Sequence, residues 1–324
     1  MFRLVAGVEE AGLEDAIARL LNRVESLRYP VYREPWTRER IRRQWLSYSG
    51  YSPENLVTVI TDTSVPVAIA WIYPIQGCGV VWVRIDPLIA LTTATKVLEE
   101  LLSYARLLFD TRGAARGVPV RVHVEPLGLV RDALYRVIPG AVAREGGALM
   151  AYKGSGVQPV LPPGYRIESR SSIAGDRGLL ARIVQLVNAA FARYSWYTPS
   201  TLRDYTNYIN YVEEHYRPLY LLVWSPSGEL AGYLLAYIHP NLAGGISGYI
   251  EELAVHPYHQ RRGLGSSLVA EATRRLHHET RYVYLNSVRG LEGFYQMLGF
   301  TVAERKAYYE ADVHVLPQRN VVVM

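Results

Sequence analysis

Hydrophobic and polar residues follow an ordered series of helical and strand patterns in the second half of the chain. Apolar residues at helical spacing predict an amphipathic helix over 177–192, and a tyrosine-rich helix is predicted over 201–216. The Ser-Pro-Ser-Gly turn at 225–228 joins two apolar runs into a predicted hairpin. In chain order, the predicted elements are strand 165–168, the two helices, strands 219–224, 230–238 and 248–255, helix 265–278, strand 282–285, helix 291–298, and strands 300–302 and 311–315.

The first half repeats this order of elements. Its predicted elements are strand 3–5, helices 13–24 and 37–48, strands 56–61, 67–75 and 80–85, helix 90–109, strand 118–124, helix 129–138 and strand 148–152. Two copies of one element order indicate a duplication. The Gly-, Ser- and Pro-rich segment 153–163 is the predicted linker, so domains are expected at 1–152 and 164–324.

Composition narrows the classes of protein. The 324 residues are 49% hydrophobic and 20% charged, which is typical of globular domains. No apolar run reaches the roughly eighteen residues of a membrane span, so we expect no membrane association. The net charge of +5 is spread along the chain, and nucleic-acid binding is not expected. The single cysteine, Cys78, excludes an internal disulfide and argues against a cysteine-based metal site, so no metal is expected, and a reducing cytoplasm fits.

One segment, VHPYHQRRGLG from Val255 to Gly265, joins the end of a predicted strand to the start of a predicted helix. The first turn of a helix has unpaired N–H groups, and its dipole favours an anion. Gly263 and Gly265 would let the backbone approach a phosphate without a Cβ atom in the way. Arg261 and Arg262 add positive charge at the rim of this loop. Alone, a Gly-x-Gly loop is equally typical of an ordinary strand-to-helix turn.

Two motifs resemble those of the GNAT superfamily of N-acetyltransferases. Gln260–Gly265, QRRGLG, resembles its acetyl-CoA loop, and Phe294–Phe300, FYQMLGF, resembles its Phe-Tyr-x-x-x-Gly-Phe helix. The element order of 165–315 also matches. The resemblance implies an α+β class, that is, a three-layer GNAT fold in which a mixed, mostly antiparallel sheet is flanked by helices, and it implies acetyl-CoA as co-substrate.

The resemblance also assigns residues to the cofactor. Backbone groups at the end of strand 248–255 would bind the pantetheine arm as if it were another strand. Main-chain N–H groups of the loop would hold the pyrophosphate, and a residue of strand 282–285 or just beyond it would contact the cofactor or the acceptor. The implied cofactor-binding residues are Leu253, Ala254, Val255, Gln260, Arg261, Arg262, Gly263, Leu264, Gly265, Ser266 and Asn286.

Two adjacent acids are candidates for a general base. An amine must lose a proton to attack a thioester at neutral pH, so a base or a water chain is needed. Because side chains alternate along a strand, Glu251 is predicted to share a face with Tyr249, Leu253 and Val255, and it is the first candidate. Glu252 would face the other side unless the strand bulges, and it is the second candidate. The pair could also bind a cationic acceptor.

Aromatic residues give further candidates. The resemblance implies that Tyr295 is the general acid for the departing CoA thiolate, although its ring could also serve packing alone. In the family, the loop between the first two helices and the region between the last two strands line the acceptor pocket. The corresponding aromatic residues are Tyr194, Trp196, Tyr197, Tyr205, Tyr208, Tyr308 and Tyr309.

The first half resembles a degenerate copy of the same fold. Val83–Pro87 mirrors the strand end at Val255–Pro257, but the residues that follow, 88–95, contain neither glycine nor a basic residue. Leu134–Gly140 faintly echoes the Phe294–Phe300 helix. Tandem arrangements with one active half occur in the mycothiol synthase type, which the chain resembles in layout. We therefore expect a first domain without a cofactor loop and one active site, in the second half.

The leading interpretation is an N-acetyltransferase that moves an acetyl group from acetyl-CoA to a primary amine by direct attack. The acceptor would be a small molecule, a protein N-terminus or a lysine. One alternative is a transferase for a longer acyl-CoA, because the loop contacts the CoA phosphates and not the acyl group. Another is a CoA-binding sensor module without turnover. The oligomeric state is left open.

Overall fold

The computed structural model describes most of the chain. The described residues are 2–8, 12–28, 30–42, 52–75, 78–112, 119–124, 128–154, 156, 158–194 and 197–318. Trp196 and part of the predicted helix over 37–48 lie outside these ranges. The chain forms two compact units, of which the first comprises 1–146 together with 306–324 and the second comprises 147–305.

The first unit is built on a mixed sheet. Its elements are β1 (Phe2–Ala6), α1 (Leu13–Ser26), α2 (Arg38–Ile41), β2 (Leu56–Thr61), β3 (Pro66–Ile75), β4 (Cys78–Ile85), α3 (Leu91–Thr111), β5 (Pro119–Val124), α4 (Gly128–Val137) and the start of β6 (Val142–Tyr152). The strands lie in the order β1-β2-β3-β4-β5-β12, where β12 is Phe300–Asp312. Only the pairing of β4 with β5 is parallel; the other described pairings are antiparallel.

The second unit repeats this plan. Its elements are the end of β6, then β7 (Arg166–Arg170), α5 (Arg177–Phe191), α6 (Leu202–His215), β8 (Arg217–Trp224), β9 (Leu230–Pro240), β10 (Ile246–Val255), α7 (Leu264–Glu279), β11 (Tyr282–Ser287), α8 (Glu292–Met297) and the start of β12. The strand order is β6-β11-β10-β9-β8-β7, and only β10 and β11 pair in parallel among the pairings described.

Helices cover both faces of the second unit's sheet, because its strands are apolar on both faces. Leu222 and Leu235 pack with α5 and α6, whereas Leu221 and Leu234 pack with α7 and α8. Capping side chains fix where the first two helices begin. Asp176 accepts the N–H of Leu179 at 2.9 Å before α5, and Thr201 Oγ1 accepts the N–H of Asp204 at 3.1 Å before α6. The predicted α+β class, with two units of mixed sheet flanked by helices, is confirmed.

The final strand differs from the prediction. Strands were expected at 300–302 and 311–315, but β12 is one strand over Phe300–Asp312, and Val313–Val315 is a short 3-10 helix. Arg121 stands opposite Glu310 in the β5–β12 pairing, with a side-chain N–O distance of 3.5 Å. Cross-strand pairs of opposite charge stabilise a strand that composition alone would interrupt.

The bounds of the two predicted repeats differ from the bounds of these compact units. The predicted linker, 153–163, lies within the second unit, and the last strand of the first unit's sheet comes from the C-terminal end of the chain. The predicted repeats 1–152 and 164–324 stay a prediction.

Candidate active site

The two parallel strands of the second unit, β10 and β11, diverge before they end. The β10–β11 ladder runs from the pair Ser247–Tyr282 to the pair Ile250–Leu285, while β10 continues to Val255. The last five residues of β10 therefore have a strand partner, β9, on one edge and an opening toward β11 on the other. An extended chain can add itself to such an edge by main-chain hydrogen bonds.

The direction of the backbone groups along this opening follows from the pairing with β9. His256 N–H donates to Ala231 C=O at 2.9 Å, so alternate residues back along β10, including Ala254, direct their N–H and C=O groups toward β9. Leu253 and Val255 direct theirs into the opening. Of the three residues expected to bind pantetheine, Leu253 presents a free main-chain edge, Val255 presents its N–H while its C=O accepts from the Gln260 side chain, and Ala254 bonds within the sheet.

A β-bulge at Glu251 changes the faces of the strand. Ile250 pairs with Ala236 and Glu252 pairs with Leu235, so Glu251 is the additional residue. Regular alternation predicted that Glu251 shares a face with Leu253 and Val255. That prediction is wrong, since Leu253 and Val255 pack toward α7 and α8, on the other side of the sheet from α5 and α6.

The bulge directs both acids toward the same wall of tyrosines. Tyr205 on α6 donates to Glu252 Oε2 at 2.6 Å, and Tyr237 on β9 donates to Glu251 Oε2 at 3.0 Å. Burial raises the pKa of the Glu252 carboxyl to about 7, with the Tyr205 hydrogen bond acting to lower it and the charge of Glu251 acting to raise it. Glu252 has no ion pair with a basic side chain among the described residues. A carboxylate in this state can accept a proton near neutral pH.

Further tyrosines surround the two carboxylates. Burial, followed by the negative charges of the two glutamates, raises the pKa of Tyr208. Tyr216 stacks on Tyr237 with ring centroids 4.3 Å apart, and Tyr249 stacks on Tyr284 at 4.6 Å. Such ring faces attract a cation when no water separates them from it.

The sequence anticipated only some of this wall. Tyr197, Tyr205 and Tyr208 were expected from the aromatic run, whereas Tyr233 and Tyr237 were not. These two lie four residues apart on β9, so period-two alternation could have placed them on one face. Tyr308 and Tyr309, expected at the acceptor pocket, lie in the first unit instead, because β12 pairs there with β5.

The loop after β10 has the geometry of an anion site. Arg261 has a φ of 61° and Gly263 a φ of 86°, so two left-handed residues turn the chain into α7. Gly263 is the N-cap of α7 and supplies no capping side chain. The N–H groups of Leu264, Gly265 and Ser266 consequently have no acceptor among the described residues.

Side chains around the loop divide into those that hold it and those that face solvent. Gln260 Nε2 donates to Val255 C=O at 2.9 Å and thereby closes the turn. Leu264 is buried against the core. Arg261 and Arg262 are exposed, and Arg262 Nη1 lies 3.4 Å from the Tyr165 hydroxyl. The structure therefore separates the backbone donors, which line the loop, from the two guanidinium groups at its rim.

Tyr295 and Asn286 lie in the same unit as the loop. Burial, followed by the neighbouring Tyr194, raises the pKa of the Tyr295 hydroxyl to about 12, so the group is protonated at neutral pH. Its hydroxyl has no hydrogen-bond partner within the described ranges. Asn286 is exposed on β11, and its Nδ2 donates to the Tyr249 hydroxyl at 2.8 Å. Tyr295 is thus a free donor, and Asn286 joins the tyrosine wall.

Together, the strand opening and the loop fit the two ends of a CoA nucleotide. The free main-chain groups of Leu253 and the N–H of Val255 suit an amide-bearing arm, and the unpaired N–H groups at the start of α7 suit a pyrophosphate. A Cβ atom at Gly265 would lie 3.6 Å from Phe294 and 3.7 Å from Val255, which is ordinary contact. The positive φ of Gly263 makes it the glycine on which the loop depends.

We expect Gly263→Ala to weaken CoA binding by about tenfold. The left-handed conformation costs a residue with a side chain about 1–2 kcal/mol, and relaxing it would turn the helix-start N–H groups away from the phosphate path. Calorimetric titration with CoA measures the effect. Gly244→Ala is the matched control, since Gly244 has a φ of 82° and, like Gly263, open space where a Cβ would stand. Equal CoA affinities in the two variants would contradict the assignment.

The described residues of the first unit lack the strand opening. There the parallel ladder of β4 and β5 runs from Gly79–Val120 to Val83–Val124, and β3 and β4 pair without a register shift. By its distance from the following proline, Val83 corresponds to Leu253, where the second unit's ladder has already ended. Neither the bulge nor the free edge is present in this described sheet.

Part of the chain matches a known protein family. The profile of the acetyltransferase (GNAT) family matches residues 184–300, which contain β10, the loop and Tyr295. The segment 184–300 therefore belongs to the GNAT family. The GNAT family is one of acyl-CoA-dependent acyltransferases that act on amine acceptors. No curated protein matches it significantly.

Solved structures show that the likeness in fold extends over the whole chain. A GCN5-related N-acetyltransferase from Sphaerobacter thermophilus matches with a TM-score of 0.65 and 20% identity, covering 100% of this chain and 98% of that one. A tandem GNAT protein from the clavulanic acid biosynthesis pathway matches with a TM-score of 0.65 and 15% identity, covering 97% and 99%. N-myristoyltransferase from Saccharomyces cerevisiae matches with a TM-score of 0.60 and 12% identity, covering 95% and 79%. At these identities, the structures establish a tandem GNAT fold.

Two kinds of feature are absent from the described residues. No helix there is both long and apolar enough to cross a membrane. Within the same ranges, no group of three His, Cys, Asp or Glu side chains could hold a metal ion. Cys78 is buried at the start of β4, and burial raises the pKa of its thiol.

Proposed function

We propose that the chain is an N-acetyltransferase with one active site, in the second unit, that transfers the acetyl group of acetyl-CoA to a primary amine by direct attack. The observation that carries the proposal is the coincidence of three features in one unit. These are the free strand edge at the end of β10, the unpaired N–H groups at the start of α7, and a carboxyl of pKa about 7 at the bulge. The described strands of the first unit offer no such edge.

In the proposed reaction, acetyl-CoA supplies the acyl group as a thioester. Glu252 takes a proton from the acceptor's nitrogen, so that the lone pair can form the C–N bond. When the C–S bond breaks, the Tyr295 hydroxyl donates its proton to the departing sulfur. Glu251, held by Tyr237, is the second candidate for the base and adds negative charge beside the amine.

Two alternatives predict different results in one assay. A transferase for a longer acyl chain would release CoA faster from a longer acyl-CoA than from acetyl-CoA. A CoA-binding sensor would bind CoA without releasing thiol from any donor. The free Tyr295 hydroxyl favours turnover, because a sensor has no need of a proton donor at the thioester.

We expect Tyr295→Phe to lower kcat by about tenfold or more while leaving CoA affinity unchanged. A thiolate is a good leaving group, so protonation contributes less here than the roughly hundredfold or more that is typical of general acid catalysis. The measurement is thiol release from acetyl-CoA in the presence of a panel of primary alkylamines, with mass spectrometry of the acetylated product.

Tyr135→Phe provides the matched control for Tyr295→Phe. Tyr135 occupies the corresponding helix of the first unit, where its ring contacts Tyr309 edge-on at 5.6 Å. Its loss is expected to leave turnover as in the wild type. The one-site proposal would fail if both variants lost activity equally, or if the wild type released no thiol with any amine.

A further inference from the structure

The first unit carries a cluster of basic and aromatic side chains on one face of its sheet. Trp82 and His123 stack with ring centroids 4.3 Å apart, and Tyr308 stacks on His123 at 5.3 Å. Arg84 lies over Trp82 at 5.6 Å from the ring centre, and Arg121 lies over Tyr308 at 5.4 Å. We call these five residues, together with Lys306 and Arg33, the basic-aromatic cluster.

Lys306 is the member of the cluster without a partner. Its amine forms neither a hydrogen bond nor an ion pair with any described residue, although the side chain is partly buried on β12. Burial, followed by the charges of Arg33 and Arg84, lowers the pKa of Lys306 to about 8. An amine held among like charges gains free energy from an incoming anion.

Acids also lie beside these cations, and Glu310 is 3.5 Å from Arg121 Nε. Glu25 on α1 is 3.1 Å from Arg33 Nε and 3.8 Å from Arg84 Nε, and it is the only acid among the charges that most affect Lys306. The positive charges of the cluster also act on His123. Burial, followed by the charges of Arg84, Arg121 and Lys306, lowers the pKa of His123 to about 4. The cluster keeps its positive excess in a partly buried place, where charges are weakly screened.

The strand pairings show which face of the first sheet carries the cluster. Trp82 stands opposite Trp71 on β3, and Arg84 stands opposite Ile69, which packs against α1. The cluster therefore lies on the face of the first sheet that α1 covers. The corresponding face of the second sheet, covered by α5, carries the two glutamates and their tyrosines. The duplicated units present opposite charges on equivalent faces.

We propose that the basic-aromatic cluster of the first unit is a binding site for an oxyanion, either a carboxylate or a phosphate group, with Lys306 and Arg84 as its principal ligands. Arginine offers paired N–H donors to such a group, and the lysine adds a point charge. The stacked rings of Trp82 and Tyr308 offer an apolar surface for the rest of the ligand. The site is independent of the acetyl-CoA site proposed above.

Competitive labelling of lysine tests the site directly. The chain has three lysines, and the other two, Lys96 and Lys153, are exposed and serve as controls within the same molecule. The protein is treated with limiting acetic anhydride near pH 8 in sodium chloride, inorganic phosphate or sodium malonate at equal ionic strength. Peptide mass spectrometry then gives the rate at each lysine.

The expected result is that labelling of Lys306 slows about fivefold or more once the protecting anion exceeds its dissociation constant several times, with Lys96 and Lys153 unchanged. Protection by phosphate alone identifies a phosphate site, and protection by malonate identifies a carboxylate site. Arg84→Met should abolish the protection, whereas Arg203→Met, an exposed arginine of the second unit, should preserve it. Equal rates at Lys306 in all three salts would overturn the proposal.

Discussion

Glu252→Gln is expected to lower kcat/KM for acetyl transfer by about 10²–10⁴-fold, the range that is typical of a lost general base. The amide keeps the size of the side chain and can still accept the 2.6 Å hydrogen bond from Tyr205, so the fold should be preserved. CoA affinity should stay at the wild-type value, because the strand edge and the loop are untouched. Steady-state kinetics with acetyl-CoA and calorimetry with CoA measure the two quantities.

The pH dependence identifies the group. A base must be ionised to act, so the wild-type kcat/KM should fall as the pH drops below about 7, the pKa of Glu252. Glu252→Gln should remove this acidic limb. Glu251→Gln is the matched variant on the neighbouring residue and should leave the limb in place, shifted slightly to lower pH, because the charge of Glu251 raises the pKa of Glu252. If Glu251→Gln removed the limb and Glu252→Gln did not, Glu251 would be the base.

Substitution of Tyr205 provides a further test of the pH dependence of kcat/KM. Its hydroxyl stabilises the ionised carboxylate of Glu252 and lowers its pKa, so Tyr205→Phe should move the acidic limb to higher pH. A loss of activity without movement of the limb would mean that Tyr205 serves packing alone.

The sequence carried more information about the loop than about the acids. The glycines of the loop could be interpreted from the sequence because a left-handed residue at a helix start favours glycine, and Gly263 adopts that conformation. The bulge at Glu251 has no such signature, since it arises from a mismatch between β9 and β10. One inserted residue reverses the faces of all that follow, and this is why the predicted grouping of Glu251 with Leu253 was wrong.

Long-range pairing limited the other predictions. Separate strands were predicted at 300–302 and 311–315, but residues of the stretch between them, such as Tyr309, pair in β12 with β5, almost 200 residues earlier in the chain. The same pairing brings Lys306 and Tyr308 beside His123, so the basic-aromatic cluster has no counterpart in any local pattern of the sequence. Element order could be predicted locally, whereas the identity of the last strand in each sheet could not.

Leu253→Pro is expected to weaken CoA binding by about 10–100-fold while the fold persists. Proline removes the N–H that faces the opening between β10 and β11, and a lost hydrogen bond to a buried ligand group costs about 1–3 kcal/mol. The β9 ladder is spared, because it uses the neighbouring Ala254. Calorimetry with CoA and the melting temperature of the free protein measure the two effects.

Two further variants distinguish the loss of the Leu253 N–H from the loss of its side chain and from a loss of stability. Leu253→Ala removes the same side chain, which packs toward α7, but keeps the N–H, so its CoA affinity should lie near that of the wild type. Ala254→Pro should lower the melting temperature instead, since it removes a donor that the sheet uses. Equal CoA affinities for Leu253→Pro and Leu253→Ala would show that the ligand does not join the strand edge. A fall in affinity confined to Leu253→Pro would establish the edge of β10 as a main-chain partner of the cofactor, beside the N–H groups at the start of α7.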